Sequence, residues 1–110
     1  MKDEIVITGL ARTPIGSFMG SLSSLSSHEL GSSAIQGALQ SSGISSDEVS
    51  EVYMGNVLTA GCGQAPARQA AKGAGLGDQV SCVTLNKVCG SGMYSVIASC
   101  RSLLVGDSKV

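Results

Sequence analysis

The chain has 110 residues, a net charge of -1 and 43% hydrophobic content. That fits one soluble domain or a piece of one, and it leaves no excess basic charge to hold nucleic acid phosphates or an anionic membrane surface. Trp is absent and aromatics make up 3%, so stacking platforms for bases are lacking and the core has to come from Val, Ile, Leu, Met, Ala and Cys.

The β-branched run Ile5-Val6-Ile7, stopped by Thr8-Gly9, predicts a first buried strand. Ala11-Arg12-Thr13-Pro14-Ile15-Gly16 is then a loop, because Pro14 restricts Thr13 to extended conformations, and the Ser-rich residues 21–27 continue it. With Ser27 as N-cap, Leu30, Ala34, Ile35, Ala38 and Leu39 recur at helical spacing, and Gly43 closes this first helix. His28 falls in its opening turn as a surface residue and is assigned no chemistry.

The acidic turn Ser46-Asp47-Glu48 leads into a second strand within residues 49–58, followed by the glycine loop Gly61-Cys62-Gly63. Pro66 suits the first turn of a second helix over residues 67–76, which Gly77 stops. The cluster Gly73-Ala74-Gly75-Leu76-Gly77 follows a helix and misses the spacing of a dinucleotide fingerprint, so it reads as a helix end. Residues 80–85 form a third strand. Cys89-Gly90-Ser91-Gly92 opens a last helix, with Met93, Val96, Ile97, Cys100, Leu103 and Leu104 as its expected buried stripe and Gly106 as its end. The order strand, helix, strand, helix, strand, helix predicts an α/β fold with a parallel sheet. One domain spans residues 1–110, read as incomplete because a fourth strand is expected where the sequence stops.

Cys62, Cys82, Cys89 and Cys100 lack the Cys-x-x-Cys spacing of a zinc site or redox pair, so no metal and no disulfide is expected. No apolar run is read as long enough to cross a bilayer, and Met1-Lys2-Asp3-Glu4 carries neither a signal-peptide core nor an Arg-rich leader, so a cytoplasmic location is expected. Cys89 stands apart from the other thiols. At the junction of a buried strand and a helix it receives partial positive charge and free backbone N–H groups, which favour thiolate and can bind an oxyanion. Gly90 and Gly92 let a substrate carbonyl approach the backbone there.

Asn86-Lys87-Val88-Cys89-Gly90-Ser91-Gly92-Met93 resembles the acyl-enzyme segment of the thiolase family. Ala11-Arg12-Thr13-Pro14-Ile15-Gly16, Met54-Gly55-Asn56-Val57-Leu58 and Gly63-Gln64-Ala65-Pro66-Ala67-Arg68-Gln69 resemble its companions in the same order. The wording is nearest to the biosynthetic branch and covers nearly the whole chain, as the N-terminal part of such an enzyme. The resemblance implies that Cys89 attacks the thioester of acetyl-CoA, keeps the acetyl group and releases CoA. A second acetyl-CoA, deprotonated at its methyl, then takes the acetyl group to give acetoacetyl-CoA, and the reverse thiolysis follows the same path. The backbone N–H of Cys89 would donate to the oxyanion, and Gln64 would lie on a substrate-binding loop near the site. Arg68 and Gln64 are equally readable as structural. CoA and acetyl-CoA are substrates; no cofactor is implied, and a homo-oligomer is expected of the full-length protein.

The family also uses a His in Gly-His-Pro, an Asn-Glu-Ala-Phe segment and a second cysteine in Cys-Gly-Gly, none of which occurs in these residues. Cys100, eleven residues along the same helix, lies roughly 16 Å from Cys89, too far to share one small substrate. The isolated segment is therefore expected to be inactive alone. Other readings are a truncated, non-catalytic product that acts only through subunit association, a ketoacyl synthase, whose surroundings of the cysteine differ, and a small redox protein, for which no resolving cysteine lies near.

Overall fold

A computed structural model describes residues 4–110. The α-helix α1, Ser27–Ser42, begins one residue earlier than a Ser27 cap requires: Ser26 is the N-cap, its hydroxyl accepting from the Glu29 amide while Glu29 reaches back to the Ser26 amide. Gly43 ends α1 in the left-handed conformation. The acidic turn is a short 3-10 helix, Ser46–Glu48. Strand β1, Glu51–Gly55, follows, and then helix α2, Pro66–Gly73, with Pro66 in its first turn. α2 stops before the expected Gly77, because Gly75 takes a φ of +91° and the Leu76 amide turns back to the Ala71 carbonyl at 3.0 Å. Strand β2, Ser81–Leu85, and helix α3, Ser91–Val105, complete the order.

β1 and β2 pair in parallel, from Glu51 opposite Ser81 to Gly55 opposite Leu85, and α2 connects them. The α/β alternation and the parallel pairing are as expected. The core is small: Val49, Val52, Ala71, Leu76 and Val80, backed by Ile35, Leu39, Met54 and Cys82. α1 and α2 approach closely because Gly31 faces Ala70. A Cβ on Gly31 would stand 2.9 Å from the Ala70 Cβ. Ser32 also donates to the Ala70 carbonyl at 2.9 Å.

Three expectations are corrected. Ile5-Val6-Ile7 is not a strand: it has no ladder partner among the described residues, and Val6 and Ile7 are 61% and 75% exposed. A β-branched run becomes a strand only when a neighbouring strand satisfies its backbone. Ile5 and Val6 instead line an open cavity of about 560 Å³ with Leu103, Ser108 and Val110.

The buried stripe of α3 is reversed. Ser91, Ser95 and Ser102 are its buried residues, while Met93, Val96, Ile97 and Leu104 are exposed and Cys100 and Leu103 are half-buried. α3 packs against β1 at Gly55, where a Cβ would stand 2.7 Å from the Ser91 Cβ, so only small side chains fit that face. The hydroxyls are satisfied locally: Ser95 donates to the Ser91 carbonyl at 3.0 Å, and Ser102 donates to the Glu51 carboxylate and pairs with Ser108.

The third correction concerns apolar length. The window Val88–Val105 has a mean hydropathy of 1.3 over 18 residues, enough by length and composition to cross a membrane. The serines spaced through it hide that run from inspection.

Candidate active site

In parallel α/β sheets, ligands bind beyond the carboxyl ends of the strands. Here the two loops that leave those ends are tied side by side, with the Asn56 amide donating to the Leu85 carbonyl at 2.9 Å. The second of them is a tight elbow that carries Cys89 from β2 into α3. Its chain folds back sharply, with the Gly90 amide donating to the Lys87 carbonyl at 3.0 Å. Val88 takes a φ of +47°, a region that β-branched side chains avoid.

Side chains on both sides hold that turn. The Asn86 Oδ1 accepts from the Val88 amide at 2.9 Å, and the Asn86 Nδ2 donates to the Val57 carbonyl at 3.4 Å on the neighbouring loop. The Ser91 hydroxyl accepts from the Lys87 amide at 2.9 Å and donates to the Val88 carbonyl at 2.6 Å. Gly90 caps α3 without any side-chain hydrogen bond, and the Gly90 and Ser91 amides donate to the Lys87 and Val88 carbonyls at 3.0 and 3.2 Å. Cys89 is exposed at this point, and a Cβ on Gly92 would meet nothing within 4 Å. An accessible thiol, open space beside it and a helix N-terminus together suit attack on an acyl carbon with the oxyanion held by backbone donors. The aromatic neighbour is Tyr94, whose ring lies 4.5 Å from the Lys87 Nζ and 5.8 Å from the Arg101 guanidinium.

The other residues singled out in the sequence fall elsewhere. Gln64 is exposed on the loop entering α2, and no hydrogen bond joins it to Cys89; its carbonyl accepts from the Gln69 Nε2 at 2.6 Å, which fixes the loop. Arg68 is structural, donating to the Val80 and Asp78 carbonyls at 3.1 and 3.3 Å. His28 is half-buried beside Asn56 and Pro66 around a small cavity of about 90 Å³. The four cysteines are free thiols: Cys62 receives the Ser27 hydroxyl at 3.5 Å, Cys82 packs against the core, and Cys100 is half-buried on α3. Asn86 and Ser91 belong to the motif around Cys89, and the sequence assigns them no role of their own; the Asx-type bond from the Val88 amide to Asn86 becomes readable only with the turn in view.

A family model described as the N-terminal domain of thiolase matches residues 5–110. The mitochondrial acetyl-CoA acetyltransferase of Xenopus tropicalis is 57% identical over 108 residues, 98% of this chain and 26% of that protein. Its Homo sapiens counterpart is 55% identical over 107 residues, 97% of this chain and 25% of that protein. Among solved structures, the Acat5 thiolase from Ascaris suum in complex with coenzyme A superposes with a TM-score of 0.89 and 40% identity, covering 91% of this chain and 26% of that one. The acetyl-CoA acetyltransferase from Syntrophomonas wolfei gives 0.87 and 30%, covering 94% and 26%. The chain thus spans about a quarter of the length of these relatives. The cytoplasmic expectation is overturned, since the vertebrate relatives are mitochondrial proteins. With an accessible cysteine at a strand-to-helix elbow and a match over nearly its full length, the chain belongs to the thiolase family.

Proposed function

We propose that this chain is the nucleophile-bearing segment of an acetyl-CoA acetyltransferase, with Cys89 as the acyl acceptor. The observation that carries the reading is the exposed Cys89 thiol at the elbow into α3, in a chain 57% identical to an acetyl-CoA acetyltransferase over 98% of its residues. The Cys89 thiolate attacks the acetyl carbonyl carbon of acetyl-CoA, and the bond from that carbon to the CoA sulfur breaks as CoA leaves. The oxyanion formed in between is held by backbone donors at the start of α3, the Cys89 N–H among them. The deprotonated methyl of a second acetyl-CoA then attacks the acyl group, forming the carbon–carbon bond of acetoacetyl-CoA and returning the thiolate.

Gln64 serves as a substrate contact on the loop entering α2. CoA and its esters are the ligands, the complete protein is a homo-oligomer, and its proton-transfer groups belong to the part of the enzyme beyond these residues. The coenzyme A complex of the Ascaris thiolase supports the ligand class. The test is isotope exchange between labelled CoA and acetyl-CoA in the intact protein, with no second acyl acceptor. Ping-pong chemistry through Cys89 gives exchange that Cys89→Ala abolishes. Exchange that survives Cys89→Ala, or none in the wild type, rejects the reading and leaves association with other subunits as the role.

A further inference from the structure

The residue before the nucleophile is held in a conformation its side chain disfavours, and the groups that hold it can be named. Val88 has a φ of +47°, and its amide and its carbonyl are each gripped by a different side chain. The Asn86 Oδ1 takes the amide at 2.9 Å and the Ser91 hydroxyl donates to the carbonyl at 2.6 Å. Each grip is itself anchored. The Asn86 Nδ2 reaches the Val57 carbonyl at 3.4 Å, on the loop that leaves the adjacent strand. Ser91 is buried against Gly55 and also accepts from the Lys87 amide at 2.9 Å.

We infer that Asn86 and Ser91 are positioning residues for the acyl transfer, clamping the two ends of Val88 so that the next residue, Cys89, is presented at a fixed angle to the start of α3. The inference rests on the proposed role of Cys89. Neither side chain touches the reacting atoms; both act through the Val88 backbone. The clamp is needed because valine resists this conformation, whereas glycine adopts a positive φ without steric cost. A glycine at position 88 should therefore make the Asn86 clamp redundant, and that dependence separates positioning from a general structural role.

The experiment compares wild type, Asn86→Ala, Val88→Gly and the double variant in the intact protein. Asn86→Ala is expected to lower kcat by about 10- to 100-fold with KM changed less than about twofold, the pattern of a misplaced reactive group. The double variant is expected to return to within about threefold of Val88→Gly alone. If Asn86→Ala does not fold, the double variant carries the test, because glycine at position 88 needs no clamp. An Asn86→Ala enzyme with wild-type kcat, or a double variant more than about tenfold slower than Val88→Gly alone, overturns the inference. Alkylation of Cys89 by iodoacetamide in the same proteins requires no acyl transfer. If the wild type forms no acyl thioester, the proposed function fails, while slowed alkylation in Asn86→Ala that Val88→Gly restores still supports the clamp and an unslowed rate rejects it.

Discussion

Val88 carries local strain on the order of 1–3 kcal/mol, typical of a non-glycine residue held in the left-handed region, and the hydrogen bonds around it are what the fold sets against that cost. The exposed charges show the opposite case, a local interaction with little structural consequence. Asp78 has its carboxyl held below the usual range, first by the hydrogen bond from Lys72 at 2.5 Å, then by the Lys72 charge and by Arg68. The folded state thus binds the Asp78 proton more weakly than the unfolded state does. Its contribution to stability is present above about pH 4 and is lost as the pH falls through the folded value. Lys72→Met should accordingly be less stable than wild type at neutral pH, with the gap closing below about pH 4, read as denaturant midpoints. A gap independent of pH would assign the loss to packing of the lysine stem instead. Cys89 was legible in the sequence as a candidate nucleophile, from the glycines and the strand-to-helix junction around it and from the resemblance of residues 86–93 to the thiolase acyl-enzyme segment. The clamp was not, because one Asn and one Ser become meaningful only once the φ of Val88 is known.

At the level of elements, the Gly43 end of α1 and the strands β1 and β2 were legible because they depend on local chemistry. The N-cap, by contrast, was expected at Ser27 and is Ser26, one position earlier in a run of adjacent serines that differ only in which one faces Glu29. Which face of α3 is buried was not legible. Periodicity places Met93, Val96, Ile97 and Leu104 on one stripe, but β1 offers that helix a surface where Gly55 admits only a small neighbour. Serine hydroxyls that bond to carbonyls one turn back can be buried there at little cost. The same reliance on small residues governs the α1 and α2 contact, where Gly31 meets Ala70 and the Met54 methyl stands 3.2 Å from where a Cβ would be. Gly31→Val forces those helices apart and should destabilise the fold by about 1–3 kcal/mol, measured by chemical denaturation. A change below about 0.5 kcal/mol would show that the α1 and α2 contact yields without cost.

For the molecule as a whole, the described residues have a small apolar core and wide exposed apolar surface. Val6, Ile7, Met93 and Leu104 are all more than half exposed, and β2 has β1 as its only strand neighbour among the described residues. Exposed apolar surface and an unpaired sheet edge favour association. The 110-residue chain expressed by itself should scatter light and bind hydrophobic dyes, whereas a monodisperse monomer with one cooperative thermal transition would contradict that expectation. These residues carry no Gly-His-Pro or Cys-Gly-Gly motif and span about a quarter of the length of the relatives, so the proposed chemistry is tested in the full-length protein. The most direct measurement there is the mass of the Cys89 peptide after brief exposure to acetyl-CoA. One acetyl group on Cys89, labile to hydroxylamine and absent after Cys89→Ala, is the predicted result. An intact protein that leaves Cys89 unmodified under turnover conditions would contradict its assignment as the acyl acceptor.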